Sequence, residues 1–156
     1  MKEKIKHYLK EISLFFLVMV VFANIFSFYR AINLNKQALD INYSYNKSKP
    51  ILIHIWATWC PTCHIEASNI QSISKDYQVL TFAVKSGSDE EIKQYMDDNN
   101  LNFNVINDYE GYYARNFNVS AYPTTFIYDK DQNLIFNEVG YTSTIGLRLR
   151  MWYASL

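Results

Sequence analysis

The chain has 156 residues and equal numbers of basic and acidic side chains, fifteen of each, so its formal net charge at pH 7 is zero. That length suits one domain with a short additional segment, and the balanced charge points to neither a nucleic-acid partner nor an acidic tail. Hydrophobic residues make up 49% of the chain, enough for a packed core, and the cysteines number two.

A basic N-terminus precedes a long apolar run over residues 12–29. The run has the length of a helix that crosses a bilayer, roughly 17–25 residues. Lysines before it favour a cytoplasmic N-terminus and export of the remainder of the chain. We therefore expect a cytoplasmic tail over residues 1–11, a transmembrane signal anchor over residues 12–29, and a catalytic domain facing the periplasm from the inner membrane. The alternative is a cleavable signal peptide with a site near Ala23.

Residues 30–49 are polar and predict a linker, with one short strand near residues 39–41. The single domain should then occupy residues 50–156. Its predicted strands are residues 51–56, 79–84, 103–106, 124–128 and 133–138. Its predicted helices are residues 61–76, 88–100, 109–117 and 143–154. Strands that alternate with helices imply a parallel sheet, and a hairpin turn at residues 129–132 adds an antiparallel edge, so we expect a three-layer α/β sandwich.

Hydrophobic side chains in two of these helices are expected to pack in the core. In the first helix they are Ile65, Ile70 and Ile73. In the last helix, core packing is the expected role of Trp152 and Tyr153.

The two cysteines, Cys60 and Cys63, lie three positions apart, after an apolar strand and at the predicted start of a helix. Unpaired backbone N–H groups and the positive end of the helix dipole favour a thiolate there, and such placement can lower a thiol pKa from ~8.5 to about 3.5–7.5. We expect Cys60 to attack a substrate disulfide and Cys63 to resolve the mixed disulfide. Pro61 stiffens the turn, and Thr62 can offer a hydroxyl to the thiolate. A structural disulfide is disfavoured because so short a loop removes little chain entropy.

Two motifs resemble the thioredoxin superfamily. Residues 56–63, Trp-Ala-Thr-Trp-Cys-Pro-Thr-Cys, look like its active-site strand and turn, with Trp59 among the supporting residues. Residues 122–125, Tyr-Pro-Thr-Thr, look like its second landmark. The resemblance implies a thioredoxin-like sandwich with a mixed central sheet, and a cis Pro123 packed against the dithiol. It also implies that the backbone of Tyr122 binds a substrate strand.

A helix and strand over residues 89–106 resemble the insertion of the TlpA-like and ResA-like membrane-anchored branch. Glu66 matches the acid that this branch places beside the dithiol, which implies that it carries protons to and from Cys63. His54 stands where plain thioredoxin has a buried acid, so Glu66 or His54 would replace that proton route. Residues 86–89 and 140–152 look most like exported protein disulfide oxidoreductases linked to suppression of copper sensitivity.

The resemblance implies partners and a reaction class. Substrates would be protein disulfides or dithiols in the periplasm, and a membrane thiol–disulfide redox partner would recharge the enzyme. No cofactor, metal or nucleic acid is expected. The direction of electron flow stays open, because Pro61 resembles the more oxidising members of the superfamily whereas the TlpA-like features resemble reductive ones.

Two other uses of the cysteines remain as alternatives. Residues 60–64 spell C-x-x-C-H, which is the attachment motif of c-type haem. The two cysteines with His64, and with His54 as a further ligand, could also bind zinc or copper(I) in an exported carrier. The buried strand before the motif and Trp59 argue against a haem attachment site, and the lack of a second C-x-x-C argues against a metal site. We expect His54 to be a satisfied core residue and His64 a solvated helix residue.

Overall fold

The computed structural model describes Tyr8, residues 10–19, residues 21–22 and residues 43–156. The described part of the N-terminal segment is helical and exposed. Within these described residues, no helix combines the length and the apolar character that a membrane crossing requires. The strand predicted near residues 39–41 lies outside the described residues, as do residues 23–29 of the predicted anchor and most of the linker.

From residue 43 onward the order of elements is the predicted one. The elements are β1 (Ile51–Trp56), α1 (Pro61–Ser74), β2 (Gln78–Val84), α2 (Asp89–Asp98), β3 (Asn104–Asp108), α3 (Tyr112–Asn116), β4 (Thr124–Tyr128), β5 (Leu134–Val139) and α4 (Thr144–Ala154). Ser88 begins α2 with a capping box, in which its hydroxyl accepts the N–H of Glu91 and the Glu91 carboxylate accepts the N–H of Ser88. This reciprocal pairing satisfies two donors that the first turn of a helix leaves free.

The five strands form one mixed sheet in the order β3-β2-β1-β4-β5. Strand β1 pairs in parallel with β2, and β2 with β3. Strand β4 is antiparallel to both β1 and β5. Every residue of β1 is buried, which explains why it is apolar except for His54, since a central strand is covered on both faces. The mixed central sheet that the resemblance implied is confirmed.

Side chains alternate across the sheet and define two faces. The dithiol face carries Leu52 and Trp56 of β1, and its core includes residues from α1, α2 and α4. The opposite face carries Ile51, Ile53 and Ile55, which pack with residues from α3. Helices on both faces of one sheet give the predicted three layers.

Helix α1 buries Ile70 and Ile73 but leaves Ile65 68% exposed, so the prediction for Ile65 was wrong. The buried stripe of α1 also contains Cys63 and Ala67. These positions recur every three or four residues, as one face of a helix requires. Ile65 lies two residues after Cys63 and therefore falls outside that face.

Helix α4 corrects a second prediction. Trp152 and Tyr153 are 57% and 56% exposed, although core packing was expected for both. The helix instead buries Leu147, Met151 and Ala154, again at helical spacing. The pair therefore lies outside the buried stripe of α4.

Candidate active site

Cys60 and Cys63 lie just beyond the carboxyl end of the central strand β1, and a disulfide joins them with the Cα atoms 5.2 Å apart. Cys60 is the N-cap of α1, and its sulfur accepts the backbone N–H of Cys63 at 3.2 Å. Pro61 occupies the start of the helix, where its missing N–H has no helical partner to lose. Thr62 follows in an exposed position. A helix N-terminus with a donor already aimed at Cys60 favours negative charge on that sulfur.

The second landmark of the resemblance has the expected geometry. The Tyr122–Pro123 peptide bond is cis, and the Pro123 carbonyl accepts the N–H of Gly140 at 2.8 Å. The Tyr122 ring meets Trp59 edge-on, with the ring centroids 5.6 Å apart and the planes at 84°. Trp59 directly precedes Cys60 and is 58% exposed. The two aromatic rings therefore form an accessible surface next to the nucleophile candidate.

Glu66 is the buried carboxyl of the site. It lies on α1 three residues after Cys63, on the same helix face, and has no solvent exposure. One carboxyl oxygen accepts the N–H of Thr142 at 3.1 Å, and the other has no partner among the described residues. Burial raises the pKa of Glu66 to about 8; the charge of Glu138 adds to the rise and the Thr142 N–H opposes it. At neutral pH this carboxyl is mostly protonated, so it can exchange a proton close to the pH range in which thiols titrate.

His54 lies on the dithiol face, in the middle of β1, and is 2% exposed. Its Nδ1 is 2.9 Å from the hydroxyl of Thr125 on β4. Burial lowers the pKa of His54 to about 3, so the imidazole is neutral at physiological pH. The expectation of a satisfied core histidine is confirmed. The structure places His54 in the sheet layer and Glu66 in the helix layer above the same face.

His64 is exposed, as expected, but its ring is bound within the protein. Its Nε2 donates to the backbone carbonyl of Thr58 at 2.5 Å. The ring also meets Tyr95 of α2 edge-on, with centroids 5.1 Å apart. The motif alone did not indicate these contacts, because both partners depend on how the chain returns to the site.

The loop after β2 contributes residues that sequence reasoning did not place at the site. The Ser86 hydroxyl accepts the N–H of Thr58 at 3.0 Å, and the Lys85 carbonyl accepts the indole N–H of Trp59 at 3.0 Å. Lys85 and Gly87 both have positive φ, 46° and 95°. A serine and a glycine, two and three residues after the end of a buried strand, were the available signal. They contributed to the resemblance but did not predict a contact with the active-site turn.

Comparison with known proteins agrees with this geometry. Residues 29–136, more than half of the chain, match the AhpC/TSA family. The chain belongs to the AhpC/TSA family. It is 31% identical to a thioredoxin-like protein of Haemophilus influenzae, over 97% of this chain and 97% of that protein. It is 30% identical to the thiol:disulfide interchange protein DsbE of the same organism, over 56% of this chain and 49% of DsbE. The chain thus spans about half the length of that relative.

Solved structures with the same fold include the oxidoreductase StoA of Bacillus subtilis, with a TM-score of 0.61, 21% identity, and coverage of 77% of this chain and 94% of StoA. A thioredoxin from Neisseria meningitidis gives a TM-score of 0.64 and 26% identity, over 78% of this chain and 85% of that one. The disulfide-bonded cysteine pair at the helix N-terminus and the likeness to the two Haemophilus influenzae proteins identify the chain as a thiol–disulfide oxidoreductase of the thioredoxin-like type. The solved structures show the same fold.

Proposed function

We propose that Cys60 is the nucleophile of a two-step exchange with protein disulfides and that Cys63 resolves it. The Cys60 thiolate attacks one sulfur of a substrate disulfide and releases the other as a thiolate. The Cys63 thiolate then attacks the Cys60 sulfur, which frees the second substrate thiol and closes the Cys60–Cys63 disulfide. Two electrons pass to the substrate, and the reverse sequence donates a disulfide. The observation that carries this assignment is the N-cap position of Cys60, where the Cys63 N–H meets its sulfur.

We assign Glu66 to proton transfer with Cys63. As a nucleophile Cys63 must lose its thiol proton, and Glu66 lies one helical turn away on the same face of α1. A carboxyl with a pKa near 8 is a better match for a thiol than an ordinary carboxyl, since proton transfer is most effective between groups of similar pKa. His54 has no such role in this scheme, because its neutral imidazole already pairs with Thr125.

The substrate in this proposal is an extended polypeptide segment of an exported protein that carries a cysteine. The Tyr122 backbone beside the cis-proline would hydrogen-bond that segment. The exposed ring of Trp59 and the half-buried ring of Tyr122 would contact its side chains. The domain would be tethered to the inner membrane by residues 12–29, face the periplasm, and exchange electrons with a membrane thiol–disulfide partner. The basic residues before that apolar run support this orientation, as does the likeness to DsbE.

The exchange mechanism predicts which cysteine traps substrates. In cells that express the full chain as C63S, Cys60 should accumulate mixed disulfides with other proteins, because no second thiol resolves them. The matched variant C60S and the double variant C60S/C63S should accumulate none. Acid quenching, thiol alkylation and non-reducing gels measure the adducts. Absence of adducts with C63S, or equal adducts with C60S, would contradict the assignment of the nucleophile.

The direction of exchange follows from the reduction potential of the cysteine couple. We propose reductive or isomerising work, of the kind implied by the TlpA-like features. The potential should then lie nearer to about −270 mV than to about −120 mV. Equilibration of the full chain with glutathione or dithiothreitol mixtures measures it. A value near about −120 mV would identify an oxidant instead.

A carrier that uses the same cysteines is not favoured by any contact in the described part of the chain. Ligation through His54 Nδ1 or through His64 Nε2 would break a hydrogen bond that the nitrogen already makes, to Thr125 or to Thr58. We therefore propose the exchange reaction alone.

A further inference from the structure

Thr58 lies in a tight turn that ends at Cys60. The Cys60 N–H donates to the carbonyl of Ala57 at 3.2 Å, which makes Thr58 and Trp59 the two central residues of a β-turn. That bond leaves the N–H and the carbonyl of Thr58 without a partner inside the turn. The orientation of the Thr58 peptide units therefore depends on groups outside the turn.

Two side chains bind both polar groups of Thr58. The Ser86 hydroxyl accepts the Thr58 N–H at 3.0 Å and donates to the Val84 carbonyl at 3.1 Å. His64 donates its Nε2 proton to the Thr58 carbonyl. Ser86 is 7% exposed, so its hydroxyl pairs with protein groups on both sides. We call Thr58, Ser86 and His64 the Thr58 clamp.

The position of His64 follows from helix geometry. Side chains on a helix lean towards its N-terminus, so the imidazole of His64 covers the turn that precedes α1. The ring is held from the other side by Tyr95, whose own ring lies 5.4 Å from the buried Trp56. His64 is thus fixed against the core although it is exposed. A freely rotating surface histidine would have no such contact.

We propose that His64 and Ser86 are positioning residues of the exchange reaction. By holding the two polar groups of Thr58, they fix the turn whose last residue is Cys60 and whose third residue is Trp59. Cys60 then keeps its sulfur at the helix N-terminus in the reduced enzyme, where no disulfide restrains it. This inference rests on the proposed role of Cys60 as the nucleophile.

The test compares matched variants of the full chain in reduced form. H64F keeps a ring against Tyr95 but loses the donor, whereas H64Q keeps an N–H donor but loses the ring. S86A loses the hydroxyl, and S86T keeps it. The measurements are the second-order rate constant with glutathione disulfide, the pKa of Cys60 from thiolate absorbance against pH, and the thermal midpoint of unfolding.

H64F and S86A should each lower the rate constant by about twofold to tenfold, the range for loss of one hydrogen bond in the transition state, and should raise the pKa of Cys60. In rate constant and in the pKa of Cys60, H64Q should stay closer to wild type than H64F, and S86T closer than S86A. A purely structural role would lower the thermal midpoint and leave rate and thiol pKa unchanged, and that result would overturn the proposal. H64Q as slow as H64F would also overturn it. Wild-type enzyme that does not react with glutathione disulfide, or C60S that does, would instead contradict the proposed function.

Discussion

The dithiol face and the opposite face of the central sheet bury different kinds of side chain. In the middle of the dithiol face, Thr81, His54 and Thr125 form a polar row across three strands, in register with one another. The Trp56 indole donates to the Thr81 hydroxyl at 3.0 Å. Glu66 is buried in the helix layer above. The opposite face is apolar in its centre. Its buried polar residues lie at strand ends: Thr124 and Tyr128 at the two ends of β4, and Asp108 at the end of β3.

This difference suggests that the two faces have different roles, one in stability and the other in the chemistry of the site. A buried polar group destabilises a fold unless it is paired, and an unpaired carboxyl does so more than a hydroxyl. The polar row is paired by cross-strand hydrogen bonds, but among the described residues one oxygen of Glu66 has no partner. Among the same residues, the opposite face leaves only the Tyr128 hydroxyl of β4 in that condition, which costs less than a carboxyl. We infer that the opposite face mainly stabilises the fold. The dithiol face contributes less to the free energy of unfolding, because it buries a titratable carboxyl near Cys63.

The largest expected effect comes from the opposite face. Phe82 has no solvent exposure, and its ring lies 4.4 Å from that of Tyr113 and 6.3 Å from that of Phe117. F82A should lower the free energy of unfolding by about 3–5 kcal/mol through lost burial and a cavity. At temperatures where the variant is folded, the pKa of Cys60 should not change. Urea unfolding and thiolate absorbance measure the two quantities.

F82L is the control, because it keeps most of the buried volume and should be destabilised less than F82A. A shift of the Cys60 pKa in folded F82A would contradict the proposed difference between the two faces, since it would mean that the opposite face also affects the reactivity of the thiol.

The central strand and the two short motifs of the site were the parts of the molecule that were easiest to predict from sequence. A six-residue run, apolar except for His54, that is bounded by Pro50 and followed by a turn is typical of a central strand whatever the rest of the fold. The cysteine pair and the cis-proline were equally local, since each is a short motif with its own chemistry. Their positions could therefore be predicted before any tertiary contact was known.

The contacts around the dithiol could not be predicted in this way. Thr142 lies 76 residues from Glu66, and Ser86 lies 28 residues from Thr58. Which backbone N–H meets a carboxyl depends on how loops return to the sheet, and composition carries no such information. The same reason explains Trp152, because an apolar residue in a helix does not by itself tell which face the helix buries.

The second expected effect concerns Glu66 on the dithiol side. Its pKa is raised from 4.5 to about 8 in the folded protein, so between these values the folded state holds a proton that the unfolded state has released. Stability is therefore lost as pH rises from 4.5 towards 8, by up to about 1.4 kcal/mol per pH unit. E66Q cannot ionise and still offers an oxygen to the Thr142 N–H.

The difference between E66Q and wild type, measured by urea unfolding of the oxidised proteins, should grow in favour of E66Q by about 3 kcal/mol from pH 5 to 7.5. The oxidised form is used because its cysteines do not titrate. A difference that stays constant over this range would mean that Glu66 ionises normally, and its assignment to proton transfer with Cys63 would lose its basis.

The third effect has the opposite sign and tests whether His54 is only a structural residue. The pKa of His54 falls from 6.5 to about 3 on folding, so below pH 6.5 the unfolded state binds a proton that the folded state does not. Its contribution to stability is lost as pH falls, by about 2 kcal/mol between pH 6.5 and 5. Over that interval Glu66 changes stability in the other direction, so the two slopes cancel in the wild type.

The measurement therefore compares E66Q with E66Q/H54N, in which the asparagine amide can still pair with Thr125. E66Q alone should lose stability on acidification, and the double variant should not. The exchange rate at pH 7 should be the same in both, because an imidazole with a pKa of about 3 is too weak a base to take a proton from a thiol. If H54N lowers the exchange rate while the thiol pKa is unchanged, the polar row takes part in catalysis. His54 would then not be a purely structural residue of the dithiol face.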